Sequence, residues 1–235
     1  RKIVSSVIMP TGAGAANGAE RALEEALRQS GLNREDIDAV VTTGYGRTAI
    51  SDGDKSITEI TCHARGAHFL DSSVRTVVDI GGQDSKVIRL NDDGSVKNFV
   101  MNDKCAAGTG RFLEMMAKTM EMSLDELSKV GLSYQEDITI SSMCTVFAES
   151  EVVSLIAQNK ATDDIVHGLN KAVAAKTASL VKRVGGEEAY MMTGGVAQNQ
   201  GLVRTLEERL GTKLVISDKS QLCGALGAAL FATEM

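Results

Sequence analysis

Val74-Arg75-Thr76-Val77-Val78-Asp79-Ile80-Gly81-Gly82-Gln83-Asp84-Ser85-Lys86-Val87-Ile88-Arg89-Leu90 is the stretch from which the fold is read. Val74–Ile80 is an apolar run rich in β-branched side chains, the composition of a buried strand. Gly81-Gly82-Gln83-Asp84 interrupts it as a turn, and Ser85–Leu90 resumes as a second strand. Asn91-Asp92-Asp93-Gly94 is a second turn, followed by a third strand over Ser95–Met101. Asp-Gly between two strand-like runs marks a hairpin.

Outward from this unit, strands and helices alternate. Upstream, Lys2–Met9 reads as a strand ending at Pro10, and Thr11–Gly18 as a glycine–alanine loop with Asn17 as N-cap. Ala19–Ser30 reads as a helix stopped by Gly31. Asp38–Thr43 reads as a short strand and Ser56–Leu70 as a helix. Downstream, helices are expected over Cys105–Met120, Ser123–Val130, Thr145–Asn159, Thr162–Val184, Asn199–Leu210 and Ser220–Thr233. Ser123 and Glu126 fit a capping box. Strands are expected over Asp137–Ser141, Glu188–Met192 and Lys213–Ile216. The alternation gives an α/β fold. A domain boundary is placed near Asp71–Arg75, so that residues 1–72 form one domain and 73–219 a second. The last helix, about 220–235, is expected to pack back on the first.

Composition narrows the function. With 235 residues, 43% of them hydrophobic, the chain can build one large core or two smaller ones. A net charge of −6, 3% aromatics and no Trp leave neither an electrostatic footprint nor stacking platforms for nucleic acid. No run of about 20 apolar residues offers a membrane span, and no signal peptide is visible. A reducing, cytoplasmic compartment is the default expectation for such a chain. The four cysteines, Cys62, Cys105, Cys144 and Cys223, form no C-x-x-C pair. A self-contained zinc or four-cysteine site within one chain is not supported.

The candidate sites each carry two readings. Asp79, Gly81, Gly82, Gln83 and Asp84 sit where glycines at a strand end let backbone N–H groups approach phosphate oxygens and a carboxylate can hold Mg²⁺ or orient water. They read equally as a tight turn with solvated acids. Thr193-Gly194-Gly195-Val196-Ala197 is a strand end before a helix, where a nucleoside can lie on backbone or where the chain simply turns. Cys105, in Asn102–Gly110, and Cys144, in Ser141–Glu151, each precede a helical segment. A helix N-terminus favours an anion such as a thiolate or a thiolate-ligated iron–sulfur cluster. Cys62 and Cys223 read as buried structural thiols, His167 as a lone surface histidine, and Arg47 as a phosphate contact or a solvated loop residue. No Walker A pattern occurs.

Read together, Thr43–Arg47, Asp79–Asp84, Asn102–Phe112, Cys144–Glu151 and Thr193–Ala197, in that order, resemble the BadF/BadG/BcrA/BcrD ATPase family. This family includes the activator component of (R)-2-hydroxyglutaryl-CoA dehydratase and lies within the acetokinase–sugar kinase–Hsp70–actin superfamily. The resemblance implies two actin-like, ribonuclease H-like domains binding ATP or ADP with Mg²⁺. It implies Asp79 and Gln83 as hydrolytic residues, with Gly81, Gly82, Asp84, Glu149, Thr193, Gly194, Gly195, Val196 and Ala197 around the nucleotide. It implies a homodimer whose single 4Fe–4S cluster takes Cys105 and Cys144 from each chain. The expected activity is ATP-coupled donation of one electron to a 2-hydroxyacyl-CoA dehydratase or a benzoyl-CoA-type reductase, with ferredoxin or flavodoxin upstream.

The family opens with a Gly-Ile-Asp-x-Gly-Ser phosphate loop. The sequence begins after it, and the intact protein is expected to carry that loop and the first strands. Two competing functions are a sugar- or acetate-kinase-like phosphotransferase and a non-catalytic nucleotide-dependent interaction module. Neither needs the two framed cysteines.

Overall fold

The computed structural model describes residues 2–51, 53–141 and 144–235. Two positions of the expected Cys144 frame, Ser142 and Met143, lie outside the described residues. The chain divides into two compact units, Arg1–Ser72 with Leu222–Met235, and Ser73–Gln221.

In the first unit, α1 (Ala15–Ser30) ends where the Gly31 N–H bonds the Leu27 carbonyl at 2.9 Å. The helix begins earlier than its sequence indicates. Gly14 is the N-cap, and Asn17 lies inside the first turn. Strands β1 (Val41–Thr42) and β2 (Lys55–Ser56) pair in parallel over two residues each. Helix α2 (Glu59–Leu70) is capped by Thr58, whose hydroxyl accepts from the Thr61 N–H. It packs on the last helix, α8 (Cys223–Ala232), burying Cys62, Ala64, Ala67, Cys223 and Ala228. Lys2–Met9 does not form the expected strand. Its backbone finds no ladder among the described residues, and composition alone cannot supply one.

The second unit holds the main sheet. Strands β3 (Thr76–Ile80), β4 (Ser85–Leu90) and β5 (Val96–Asn102) form an antiparallel meander. Strands β6 (Tyr190–Thr193) and β7 (Leu214–Ile216) extend it in parallel beyond β3, giving the order β5-β4-β3-β6-β7. Every residue of β3 and β6 is buried, as expected for central strands covered by helices on both faces.

Among the described residues, the helices that accompany the sheet are α3 (Gly110–Thr119), α4 (Leu124–Val130), α5 (Thr145–Ala157), α6 (Thr162–Val184) and α7 (Gln200–Leu210). The Ser123–Glu126 capping box starts α4. The 23-residue α6 lies against β4, β5 and α7 and buries Ile165, Leu169, Val173 and Leu180. Phe112 of α3 is 2% exposed, so truncating it to Ala would cost about 3–5 kcal/mol.

Asp137–Ser141 is not a strand. Ile138 and Ile140 are buried, but the preceding run is tied to α6 instead of a sheet. The Asp164 carboxylate accepts the N–H groups of Gln135 and Glu136 at 2.7 and 2.9 Å. No helix among the described residues is long and apolar enough to cross a membrane.

Candidate functional site

Asp79 is the fourth residue of β3, and strand register decides its neighbours. Lys86 of β4 and Thr193 of β6 are its cross-strand partners. Lys86 Nζ donates to Asp79 Oδ2 at 2.9 Å, and Thr193 Oγ1 donates to Asp79 Oδ1 at 2.7 Å. The same ammonium lies 2.9 Å from Asp84 Oδ2. All four side chains are buried. Burial alone would push the Lys86 pKa down. The Asp79 and Asp84 carboxylates outweigh it and hold the group above the ordinary lysine range, so the ammonium stays charged.

This knot shapes the turn. The Gly81 N–H bonds the Asp84 carbonyl at 2.9 Å, closing a loop whose tip, Gly82 and Gln83, is exposed. Gly194 follows directly after Thr193 with φ 84°, and a Cβ there would lie 2.3 Å from the Ile80 carbonyl oxygen. Only glycine meets both demands, so β6 leaves the sheet hard against the end of β3. Gly195 is exposed, while Val196 and Ala197 are buried in the short 3-10 turn Gly195–Gln198.

Helix α3 joins the turn from a third direction. Its first N–H groups, of Gly110 and Arg111, bond the Gly81 and Gly82 carbonyls, both at 2.8 Å. A Cβ on Gly110 would lie 3.1 Å from the Gly81 oxygen and 3.3 Å from Val196 Cγ2. Three motifs far apart in sequence therefore meet within van der Waals contact. Asp79, Gly81, Gly82, Gln83, Asp84 and Thr193–Ala197 are brought together.

Glu149 is not with them. Its Oε1 accepts from Thr119 Oγ1 at 3.0 Å, at the other end of α3, about 13 Å along the helix from Gly110.

Cys105 and Cys144 are exposed, while Cys62 and Cys223 are fully buried, and none of the four is in a disulfide. Burial raises the Cys62 pKa, as befits an unreactive thiol. Cys144 is the N-cap of α5. Cys105 departs from expectation, because α3 begins five residues later, with Thr109 as N-cap. The carbonyls of residues 105–107 accept from the Asn102 and Thr109 side chains, and the Thr109 N–H closes a turn on the Ala106 carbonyl, so the helix starts after it.

Among the described residues no group of three or more His, Cys, Asp or Glu is set to hold a metal. Two exposed thiols per chain fit half of a four-thiolate set and not a whole one.

His167 corrects the surface reading. It is 5% exposed, stacked on Tyr134 with ring centroids 3.4 Å apart, with Nε2 3.7 Å from Asp137 Oδ1. Arg47 bonds the Gly44 carbonyl at 3.0 Å. Lys86 is the site residue that sequence reading missed. The available signal was a lysine at the start of a strand whose centre is Val87-Ile88, one turn away from Asp79.

The model of the BadF/BadG/BcrA/BcrD ATPase family matches residues 1–232. The chain belongs to this family. The 2-hydroxyisocaproyl-CoA dehydratase activator of Clostridioides difficile is 50% identical over 232 residues, covering 99% of this chain and 87% of that protein. The crystal structure of component A of the Acidaminococcus fermentans (R)-2-hydroxyglutaryl-CoA dehydratase superposes with a TM-score of 0.94 at 44% identity, covering 99% of this chain and 90% of that one. A structure of the activator of the 2-hydroxyisocaproyl-CoA dehydratase from Clostridium difficile, with bound ADPNP, gives a TM-score of 0.90 at 50% identity, covering 94% and 82%. The fold is thus the α/β, actin-like architecture of this ATPase family, with a mixed sheet flanked by helices.

Proposed function

We propose that this BadF/BadG/BcrA/BcrD-family ATPase activates a 2-hydroxyacyl-CoA dehydratase, or a related benzoyl-CoA-type reductase, by ATP-coupled electron donation. The observation that carries the reading is the direct bonding of the Gly81–Gly82 turn to the helix that follows the Cys105 loop. One backbone hydrogen-bonded unit thereby spans the candidate phosphate turn and a candidate ligand thiol. Similarity to an activator that binds ADPNP supports nucleotide binding by this chain. The residues proposed for it are Gly81, Gly82, Gln83 and Thr193–Ala197, with Mg²⁺ accompanying ATP.

In this reading Asp79 and Asp84 are fixed by Lys86, and the exposed Gln83 faces the ligand at the tip of the turn. Gln83 orients the attacking water by hydrogen bonding, while backbone N–H groups of the turn receive phosphate oxygens. ATP and water give ADP and phosphate. Cys105 and Cys144 of two copies would hold one 4Fe–4S cluster, which when bound supplies the single electron. The N-terminus of α5 would stabilise thiolate charge at Cys144. Val146 and Phe147, 62% and 67% exposed beside Cys144, are apolar surface that a second copy would cover. The cytoplasm, with ferredoxin or flavodoxin as electron source, is the proposed setting.

Anaerobic purification tests the proposal. The expected protein is brown, carries about four iron atoms per dimer, hydrolyses ATP and, once reduced, activates a dehydratase from a panel of candidates. Colourless, iron-free protein that still hydrolyses ATP would favour a kinase-like or interaction role instead.

A further inference from the structure

The run from Asp103 to Thr109 is fastened at both ends to the turn after β3. At its start, Asn102 closes β5 and pairs in register with Ser85, the residue after Asp84. At its end, Gly110 and Arg111 donate to the Gly81 and Gly82 carbonyls. No helix or strand includes Cys105 itself.

Inside the run, side chains bond three successive carbonyls, beside one backbone bond from the Thr109 N–H to the Ala106 carbonyl at 3.0 Å. Asn102 Nδ2 donates to the Cys105 carbonyl at 2.9 Å and to the Ala107 carbonyl at 3.2 Å. Thr109 Oγ1 donates to the Ala106 carbonyl between them at 2.7 Å. A carboxamide carries two N–H hydrogens, one for each carbonyl it meets here. Ala107, Gly108 and Thr109 are buried, while Cys105 remains exposed. The Asn102 amide therefore sets the peptide planes on the C-terminal side of Cys105 from a rigid strand end.

We infer that Asn102 is a positioning residue for the Cys105 thiolate, presetting the loop before metal arrives. This rests on the reading of Cys105 as a cluster ligand. A preset loop loses less conformational freedom on binding, and groups that orient a ligand tune the metal it holds. Asn102 does not touch the metal in this scheme. It acts through the backbone of Cys105 and Ala107.

The test uses the full chain purified anaerobically, with Asn102→Asp, Asn102→Ala and Asn102→Gln beside Cys105→Ala. Asn102→Asp keeps the shape and removes both donors. It is expected to raise amide hydrogen exchange roughly tenfold across residues 105–109 of the iron-free protein. The loaded protein is expected to release iron to a ferrous-iron chelator roughly tenfold faster, with a changed electron paramagnetic resonance spectrum. Asn102→Gln retains the donors on a longer stem and is expected to recover part of each effect; it carries the test should Asn102→Asp fail to fold.

If exchange, iron release and spectrum are unchanged in all three variants while Cys105→Ala loses its iron, the positioning role is overturned and the cluster reading stands. Exchange raised evenly across the whole sheet overturns it as well. Wild-type protein without iron overturns the cluster reading and this inference together.

Discussion

At Lys86 one ammonium holds two buried carboxylates that would otherwise repel, Asp79 and Asp84. Lys86→Met is expected to destabilise the protein by about 3–5 kcal/mol, because removing one partner leaves buried charge uncompensated; urea unfolding measures it. The raised Lys86 pKa places its pH effect far on the alkaline side. The stabilisation is complete below the ordinary lysine pKa and is lost as pH rises through the higher folded value.

His167 has the opposite sign. Burial depresses its pKa against the pull of Asp137. The unfolded chain then takes up a proton near pH 6.5 while the folded chain does not, so stability falls as pH drops through that region. The melting temperature of the wild type should decline there. His167→Phe, which keeps the stack on Tyr134, should flatten the decline. Cys105→Ala and Cys144→Ala are expected to abolish iron binding with little change in circular dichroism. Iron retained by either variant would remove that cysteine from the ligand set.

Among the elements, α3 ties the candidate phosphate turn to the cysteine loop. Gly110→Ala would press a methyl group to 3.1 Å from the Gly81 oxygen and 3.2 Å from Gly82 Cα. The turn or the helix must shift by tenths of an ångström. A loss of about 1–3 kcal/mol is expected, with weakened ATP binding, read by calorimetric titration; unchanged affinity would show that the turn does not depend on α3. Helix α5 is anchored differently. The Glu151 carboxylate accepts the Ser141 N–H through both oxygens at 3.0 Å, joining the run before Cys144 to the helix after it. The two candidate ligand thiols thus stand on separate supports, a loop braced from β5 and a helix cap braced from its own second turn.

Across the whole molecule, the second unit contains the candidate phosphate turn and both candidate thiols, with the helix after the Cys105 loop bonded directly to that turn. Two exposed thiols per chain give the proposed cluster a natural two-fold origin. Phe147→Asp places a charge on apolar surface beside Cys144. It is expected to shift the sedimentation coefficient from dimer to monomer and to lose iron with both cysteines intact. Dimer persisting with full iron would show that this face of α5 is not covered by a second copy.

The amino-acid sequence makes legible the strand–turn–strand–turn–strand unit, the α/β order, the capping box at Ser123 and Glu126, and the buried state of Cys62 and Cys223. These rest on local composition, short-range turn chemistry and side-chain polarity. It also singled out most of the residues that converge around Gly81. The folded arrangement alone reveals that Lys86 lies between Asp79 and Asp84, that His167 is buried, and that Asn102 braces the Cys105 loop. Only it decided that α3 starts at Gly110, and that Lys2–Met9 and Asp137–Ser141, though strand-like in composition, form no strand. A strand exists only with a neighbour to complete its ladder, and a buried charge only with a counter-charge. The strand partner can lie far along the chain, and even the nearby counter-charge at Lys86 is set by a strand register that local pattern does not encode.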